Sequence, residues 1–217
     1  CCVSISNKQM ETKPKLLILT GPQGSGNHLF AKIFSSHKSV YGWEMEHNEW
    51  QGHHNEPFSL YWKRPELLKL AIKNKKYYIT SISCPYFYNK KPTIPNYKKF
   101  IKYASKVFDI QVCIIGRDKN ILYKQQTRIR SKHTTPTAIK NFKHLLKYNP
   151  IFISQELFCL YGIDYCNSIS KLLNFPIDTK KVKALLKYNA NAPYIKEWYN
   201  IGQGMFDTEV KKACDES

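Results

Sequence analysis

No stretch of this 217-residue chain reaches the roughly 20 apolar residues that a membrane-spanning helix needs, so no span is expected. Cysteine occurs seven times, an odd number, with no C-x-x-C pair and no regular spacing. That pattern speaks against a zinc site and against a disulfide framework. Cys84, Cys113 and Cys159 lie among apolar residues and are expected to be buried small hydrophobes. The same usage favours a cytoplasmic location. No H-E-x-x-H arrangement occurs, and no metal is expected. Internal repeats and a dividing linker are also missing, so residues 15–217 are read as one domain. Residues 1–14 have no starting Met and no apolar signal core; they are expected to be a loosely ordered polar leader or the cut end of a longer reading frame. Acidic residues are few: 16 Asp and Glu against 34 Lys and Arg leave a net charge of +18. Lysine is spread along the chain instead of gathered in a tail, so no specific nucleic-acid partner is expected. A positive field of this kind attracts anionic cofactors and acceptors. A coding bias toward Lys, Asn, Ile and Tyr would give the same composition without such a role.

Hydrophobic residues make up 42% and charged residues 23%, the balance of a globular chain with a sizeable core. The most informative stretch is residues 15–40, which opens KLLILTGPQGSGNHLF. Leu16 to Leu19 form an apolar run without polar alternation, as in a strand buried on both faces of a parallel sheet. Gly21, Gly24 and Gly26 follow, and Leu29, Phe30, Ile33 and Phe34 then recur at helical spacing. Strand, glycine loop and helix together make a phosphate-binding device, because helix-start N–H groups and the helix dipole favour an anion. An ordinary strand–turn–helix corner that uses glycine for its backbone freedom is the plain alternative. The G-x-x-x-x-G of a Walker A loop is present, but Asn27 and His28 stand where its Lys and Ser/Thr belong. Without the Lys on the outer phosphates and the hydroxyl on Mg²⁺, triphosphate chemistry is disfavoured.

The remaining elements alternate. A short strand is expected over residues 39–43, and then a polar loop over 44–58 carrying Glu44, Glu46, Glu49, Glu56 and three histidines. A Leu-rich amphipathic helix is read over 65–74, a strand over 76–83, and a helix over 97–107 with Phe100, Ile101 and Ala104 inward. A second strongly apolar strand covers 111–115 and stops at Gly116-Arg117-Asp118. Helices follow over about 120–130 and 136–148, then a strand over 151–154 and a helix over about 160–174. Residues 178–217 are read as a helix and an irregular tail. This is an α/β pattern with a mainly parallel central sheet flanked by helices. Arg117, where a strand ends and a helix begins, sits on the ligand-binding edge of such a sheet and can grip a phosphate with its planar fork; a surface Arg paired with Asp118 is the plain alternative. Asp118 is placed to cap the helix.

Three motifs in order resemble the superfamily of sulfotransferases that use 3′-phosphoadenosine 5′-phosphosulfate (PAPS). The first is the loop Pro22–His28 with the following Ser36-His37-Lys38-Ser39-Val40. The second is Ile115-Gly116-Arg117-Asp118-Lys119, similar to the strand leading into Arg-Asp-Pro. The third pairs Ile151–Leu157 (IFISQEL) with Lys171–Ile177 (KLLNFPI). The resemblance covers about residues 15–180 and implies a P-loop-like, sulfotransferase-like fold. It differs from the family at Gly24, where a Lys or Arg is usual, and at Asn27 and His28, where two Thr are usual. The family's second 3′-phosphate ligand, a Ser, falls at Gln125.

The resemblance implies transfer of a sulfuryl group from PAPS to a hydroxyl or amine of a small-molecule or glycan acceptor, anionic acceptors included, leaving 3′-phosphoadenosine 5′-phosphate (PAP). Gln23, Gly24, Ser25, Gly26, Asn27 and His28 would bind the 5′-phosphate and sulfuryl group, and Arg117 with Gln125 the 3′-phosphate. Glu44 is the expected general base, ahead of Glu46, and His28 its rival. The other readings are a P-loop nucleotide kinase or NTPase, and a catalytically silent nucleotide-binding protein on the same fold.

Overall fold

A computed structural model describes residues 13–41, 58–88, 91–130 and 132–186. Glu44, Glu46 and most of the expected polar loop lie outside the described residues, as do residues 1–12 and the tail from 187 onward. In chain order the strands are β1 (Lys15–Pro22), β2 (Val40–Tyr41), β3 (Tyr77–Cys84), β4 (Tyr86–Tyr88), β5 (Lys91–Thr93), β6 (Asp109–Gly116) and β7 (Ile151–Ser154). The α-helices are α1 (Asn27–Ser35), α2 (Tyr97–Ala104), α3 (Lys119–Arg130), α4 (Thr135–Phe142), α5 (Gln155–Leu173) and α6 (Thr179–Leu185).

Among the described residues five strands form one sheet in the order β2-β3-β1-β6-β7, and every neighbouring pair is parallel. The apolar run of β1 is central, and its side chains alternate between two separate cores. Leu16 and Ile18 join Tyr78, Val112 and Ile114 on one face, under α2, α4 and the 3-10 helix Pro65–Ala71. Leu17 and Leu19 join Ile79, Cys113, Ile115 and Ile153 on the other, under α1, α5 and α6. On the first face Trp62 stacks on Phe100 with ring centroids 3.9 Å apart, and its indole N–H donates to Thr80 Oγ1 at 2.9 Å. On the second, Phe30 meets Phe158 and Phe34 meets Phe175, both edge to face.

The helix α2 buries Phe100, Ile101 and Ala104, as its sequence predicts, and Tyr97 beside them, and Asn96 caps it by accepting from Lys99 N–H at 3.0 Å. Other segments differ from the sequence reading. The Leu-rich stretch after Arg64 is a 3-10 helix, Pro65–Ala71, because the residues it buries are Pro65, Leu68 and Ala71, a period of three. The helix read over 136–148 is α4 followed by a 3-10 turn, Lys143–Tyr148; it ends where Asn149, ahead of Pro150, turns left-handed (φ 47°). The helix expected from about Leu160 begins at Gln155, capped by Ser154, and departs from helical geometry at Gly162. The hairpin β4–β5 was not expected. Cys84 and Cys113 are fully buried as read, whereas Cys159 is half-buried.

The backbone at residue 14 is tied to the sheet, since Asp109 N–H donates to the Pro14 carbonyl at 2.9 Å. Among the described residues no helix is long and apolar enough to cross a membrane.

Candidate phosphate-binding site

In an open parallel sheet, ligands are held outside the carboxyl ends of the strands, where the chain reverses its direction of winding. Here that place is the end of β1, between β3 and β6, and the glycine loop occupies it. The loop is shaped by two residues in the left-handed region, Gly24 (φ 85°) and Gly26 (φ 97°), which L side chains rarely adopt. Gly26 is the N-cap of α1 and offers no side chain to the first-turn N–H groups. No acidic residue lies in that turn, so the positive end of the helix dipole is uncompensated there.

Four walls close around the loop. From β3, Ser83 Oγ accepts from Asn27 Nδ2 at 2.9 Å, and the same amide reaches the Gly21 and Pro22 carbonyls at 3.3 and 3.4 Å. The side-chain N–H groups of Asn27 are therefore engaged in bracing the loop. From the β6–α3 turn, Arg117 Nη1 donates to the Gly24 carbonyl and to Gln125 Oε1, both at 2.5 Å. From α3 and the turn after it, Gln126 Nε2 donates to the Gln23 carbonyl at 2.7 Å while its Oε1 accepts from Thr134 N–H at 2.8 Å. From the β7–α5 junction, Gln155 presses on Gly26 so closely that a Cβ there would lie 2.2 Å from its Oε1. Gly24 is confined as well, though less tightly, with Gln125 Oε1 2.7 Å from the place of a Cβ.

Gly24, Arg117 and Gln125, which are far apart in sequence, are thus one contact cluster, and Gln23, Ser25, Gly26 and Asn27 adjoin it. His28, the second residue of α1, is half-buried. Glu44 lies outside the described residues. The sequence reading missed Ser83, Gln126, Thr134 and Gln155. A signal existed for Ser83 and Gln155, since each stands where a parallel strand ends or a helix begins. For Gln126 and Thr134, whose role depends on how α3 folds over the loop, there was none.

The turn that carries Arg117 is itself fixed. Asp118 Oδ1 accepts from Asn120 and Ile121 N–H at 2.9 Å each, the expected cap. Its own N–H donates to Glu156 Oε1 at 2.8 Å, which joins the starts of α3 and α5. Below the loop, Thr20 Oγ1 donates to the Ile82 carbonyl at 2.8 Å and lies 2.7 Å from the Tyr97 hydroxyl. Burial holds the Tyr97 hydroxyl well above its ordinary pKa, and burial likewise pushes the adjacent Cys84 thiol up to about 11.

Several polar atoms of the loop region are buried without a hydrogen-bond partner: Gln23 Nε2, Ser25 Oγ, Asn27 Oδ1 and Gln155 Oε1. Leaving such an atom unsatisfied costs about 1–3 kcal/mol, so each calls for a polar partner, a water or a ligand, at the loop. Ser25 Oγ and Gln23 Nε2 can donate to an anion. Among the described residues no group of three His, Cys, Asp or Glu is placed to hold a metal ion. No protein-family model matches this sequence, and no curated protein matches it significantly.

Proposed function

We propose that the protein is a PAPS-dependent sulfotransferase of P-loop-like architecture, moving a sulfuryl group to a hydroxyl or amine of a small-molecule or glycan acceptor. The observation that carries this reading is the meeting of Arg117 and Gln125 with Gly24, in a loop where two buried donors, Gln23 Nε2 and Ser25 Oγ, lack partners. A guanidinium beside a helix-start anion cradle suits a ligand with two separate phosphates, one for each. The strand order, with the loop at the end of the central strand, supports the P-loop-like description. The absence of a Lys and a hydroxyl at positions 27 and 28 argues for an anion bound without Mg²⁺.

The donor supplies the activated sulfuryl group. Within this reading the first-turn N–H groups of α1 and the Ser25 hydroxyl stabilise the phosphate that leaves, and Arg117 with Gln125 fixes the far end of the nucleotide. Glu44 takes the proton of the acceptor hydroxyl as its oxygen bonds to sulfur and the sulfur–phosphate oxygen bond breaks. A catalytically silent nucleotide-binding protein is the second reading, favoured by one feature: residues 21–27 contain no Lys or Arg.

Titration calorimetry with PAP, without metal, and with ATP–Mg²⁺ separates the readings. PAP binding without Mg²⁺ and weak or no ATP–Mg²⁺ binding is the expected result. Tight, Mg²⁺-dependent ATP binding would replace the proposal with a nucleotide kinase or NTPase. Turnover of PAPS then separates the enzyme from the silent protein.

A further inference from the structure

Gln155 is the first residue of α5 and is 1% exposed. Its Oε1 has no partner and lies against Gly26, the residue that opens α1. Its Nε2 points away from the loop, 3.8 Å from Cys159 Sγ. A buried amide carbonyl facing the positive end of a helix accepts nothing there, and an anion in the loop would be repelled by it. Turning the amide by 180° exchanges the two atoms without moving the side chain. The N–H₂ then faces the loop, and the oxygen accepts from the Cys159 thiol. Burial raises the Cys159 pKa, outweighing the lowering effects of its hydrogen bond with Gln155 and of the Arg117 charge, so the thiol keeps the proton it would donate.

We propose that Gln155 is an anion-binding residue, whose side-chain amide donates an N–H to the phosphate or sulfuryl oxygens held at Gly26, supplying from the β7–α5 junction a donor to a loop that carries no cation of its own. The inference rests on the reading of the loop as a phosphate cradle. It adds an arm from outside the loop. The phosphate or sulfuryl group at Gly26 is then held by neutral donors of the loop and of α5, while the Arg117 guanidinium serves the second phosphate.

The test is a charge series at this one position, read with inorganic pyrophosphate and with PAP by calorimetry, alongside thermal unfolding with and without each ligand. If the amide touches the anion, affinity follows the charge of the side chain. Gln155→Lys should bind pyrophosphate about tenfold more tightly than wild type, Gln155→Leu about 3- to 10-fold more weakly, and Gln155→Glu about 10- to 100-fold more weakly. Equal weakening by Lys, Leu and Glu would reduce Gln155 to a packing residue and overturn the inference. Equal binding by all four proteins would overturn it too. Should Gln155→Lys fail to fold, Gln155→Met against Gln155→Glu carries the same sign, since both match glutamine in length and only one brings a charge. Wild-type protein that binds neither pyrophosphate nor PAP would remove the cradle itself. A wild type that binds both, with variants insensitive to charge, would remove Gln155 alone.

Discussion

Arg117 bears two duties at once. Its guanidinium holds the carbonyl of Gly24, which shapes the loop, and in the proposed function it also grips the 3′-phosphate. Arg117→Ala should therefore weaken an adenosine 5′-phosphate ligand somewhat and PAP much more. The extra loss should be about 1.5–3 kcal/mol, that of a charge-assisted contact. Calorimetry with the two nucleotides reads the difference, and equal losses would leave Arg117 a loop brace only. The proposed base is a separate matter, because Glu44 is placed by position in the sequence alone. Glu44→Gln keeps the size and polarity of the side chain but cannot accept a proton. Turnover of PAPS should fall about 10²- to 10⁴-fold with PAP affinity unchanged. Glu46→Gln should do much less. If Glu44→Gln turns over normally and His28→Asn is dead with PAP binding intact, the base is His28.

The glycine loop behaves as an element in its own right, and its constraints decide which engineering it tolerates. A cation at position 24 is the obvious way to bring the loop closer to the sulfotransferase pattern. The backbone at φ 85° and the Gln125 oxygen 2.7 Å from a Cβ position oppose it. Gly24→Lys and Gly24→Ala should both cost roughly 1–2 kcal/mol of stability and lose PAP affinity together, measured by urea unfolding and calorimetry. A gain in affinity by Gly24→Lys alone would show that the loop relaxes and that the charge outweighs the strain. The start of α5 is a second element with a shared role. Ser154 Oγ accepts from the N–H groups of Glu156 and Leu157 at 3.1 and 3.3 Å and donates to Glu156 Oε2 at 3.1 Å. Through Glu156 it steadies the turn that carries Arg117. Ser154→Ala should cost about 1 kcal/mol of stability and only a small part of the affinity that Arg117→Ala removes.

At the scale of the whole molecule, the sheet separates two apolar layers, and both contain thiols that are costly to ionise. Burial pushes Cys113 and Cys166 up to about 12 and, beside Tyr97, Cys84 up to about 11, from an ordinary value of 9.0. Well below pH 9 these thiols are protonated in both folded and unfolded chains, and stability is unaffected by them. As pH rises through 9 the unfolded chain releases protons that the folded chain keeps, so stability falls with a slope that grows toward about 1.4 kcal/mol per pH unit for each thiol. Equilibrium unfolding between pH 9 and about 10 should show this slope, and Cys113→Ala should remove one thiol's share of it. An unchanged slope in that variant would mean that the Cys113 thiol already ionises in the native fold. Tightly packed layers of this kind also leave little room for truncation: Phe34→Ala, which empties the contact with Phe175, should cost about 3–5 kcal/mol.

What the sequence by itself determined is local and periodic. The run Leu16–Leu19 dictated a strand buried on both faces, the spacing of Phe100, Ile101 and Ala104 dictated the inward face of α2, and the alternation of such units dictated a parallel α/β sheet. It also marked Gly24 and Arg117, because glycine and a strand-end arginine carry meaning in their own chemistry. Only the tertiary structure decided that Arg117 reaches the carbonyl of Gly24, that α3 folds over the loop through Gln126, and that Gln155 closes on Gly26. Those contacts join residues about 90 to 130 positions apart. Their partners are set by strand order and by how each helix returns across the sheet, and a local period carries no record of either. The same holds for the 3-10 turn at Pro65–Ala71, whose leucines read as an α-helix until packing against α2 selected every third residue for burial.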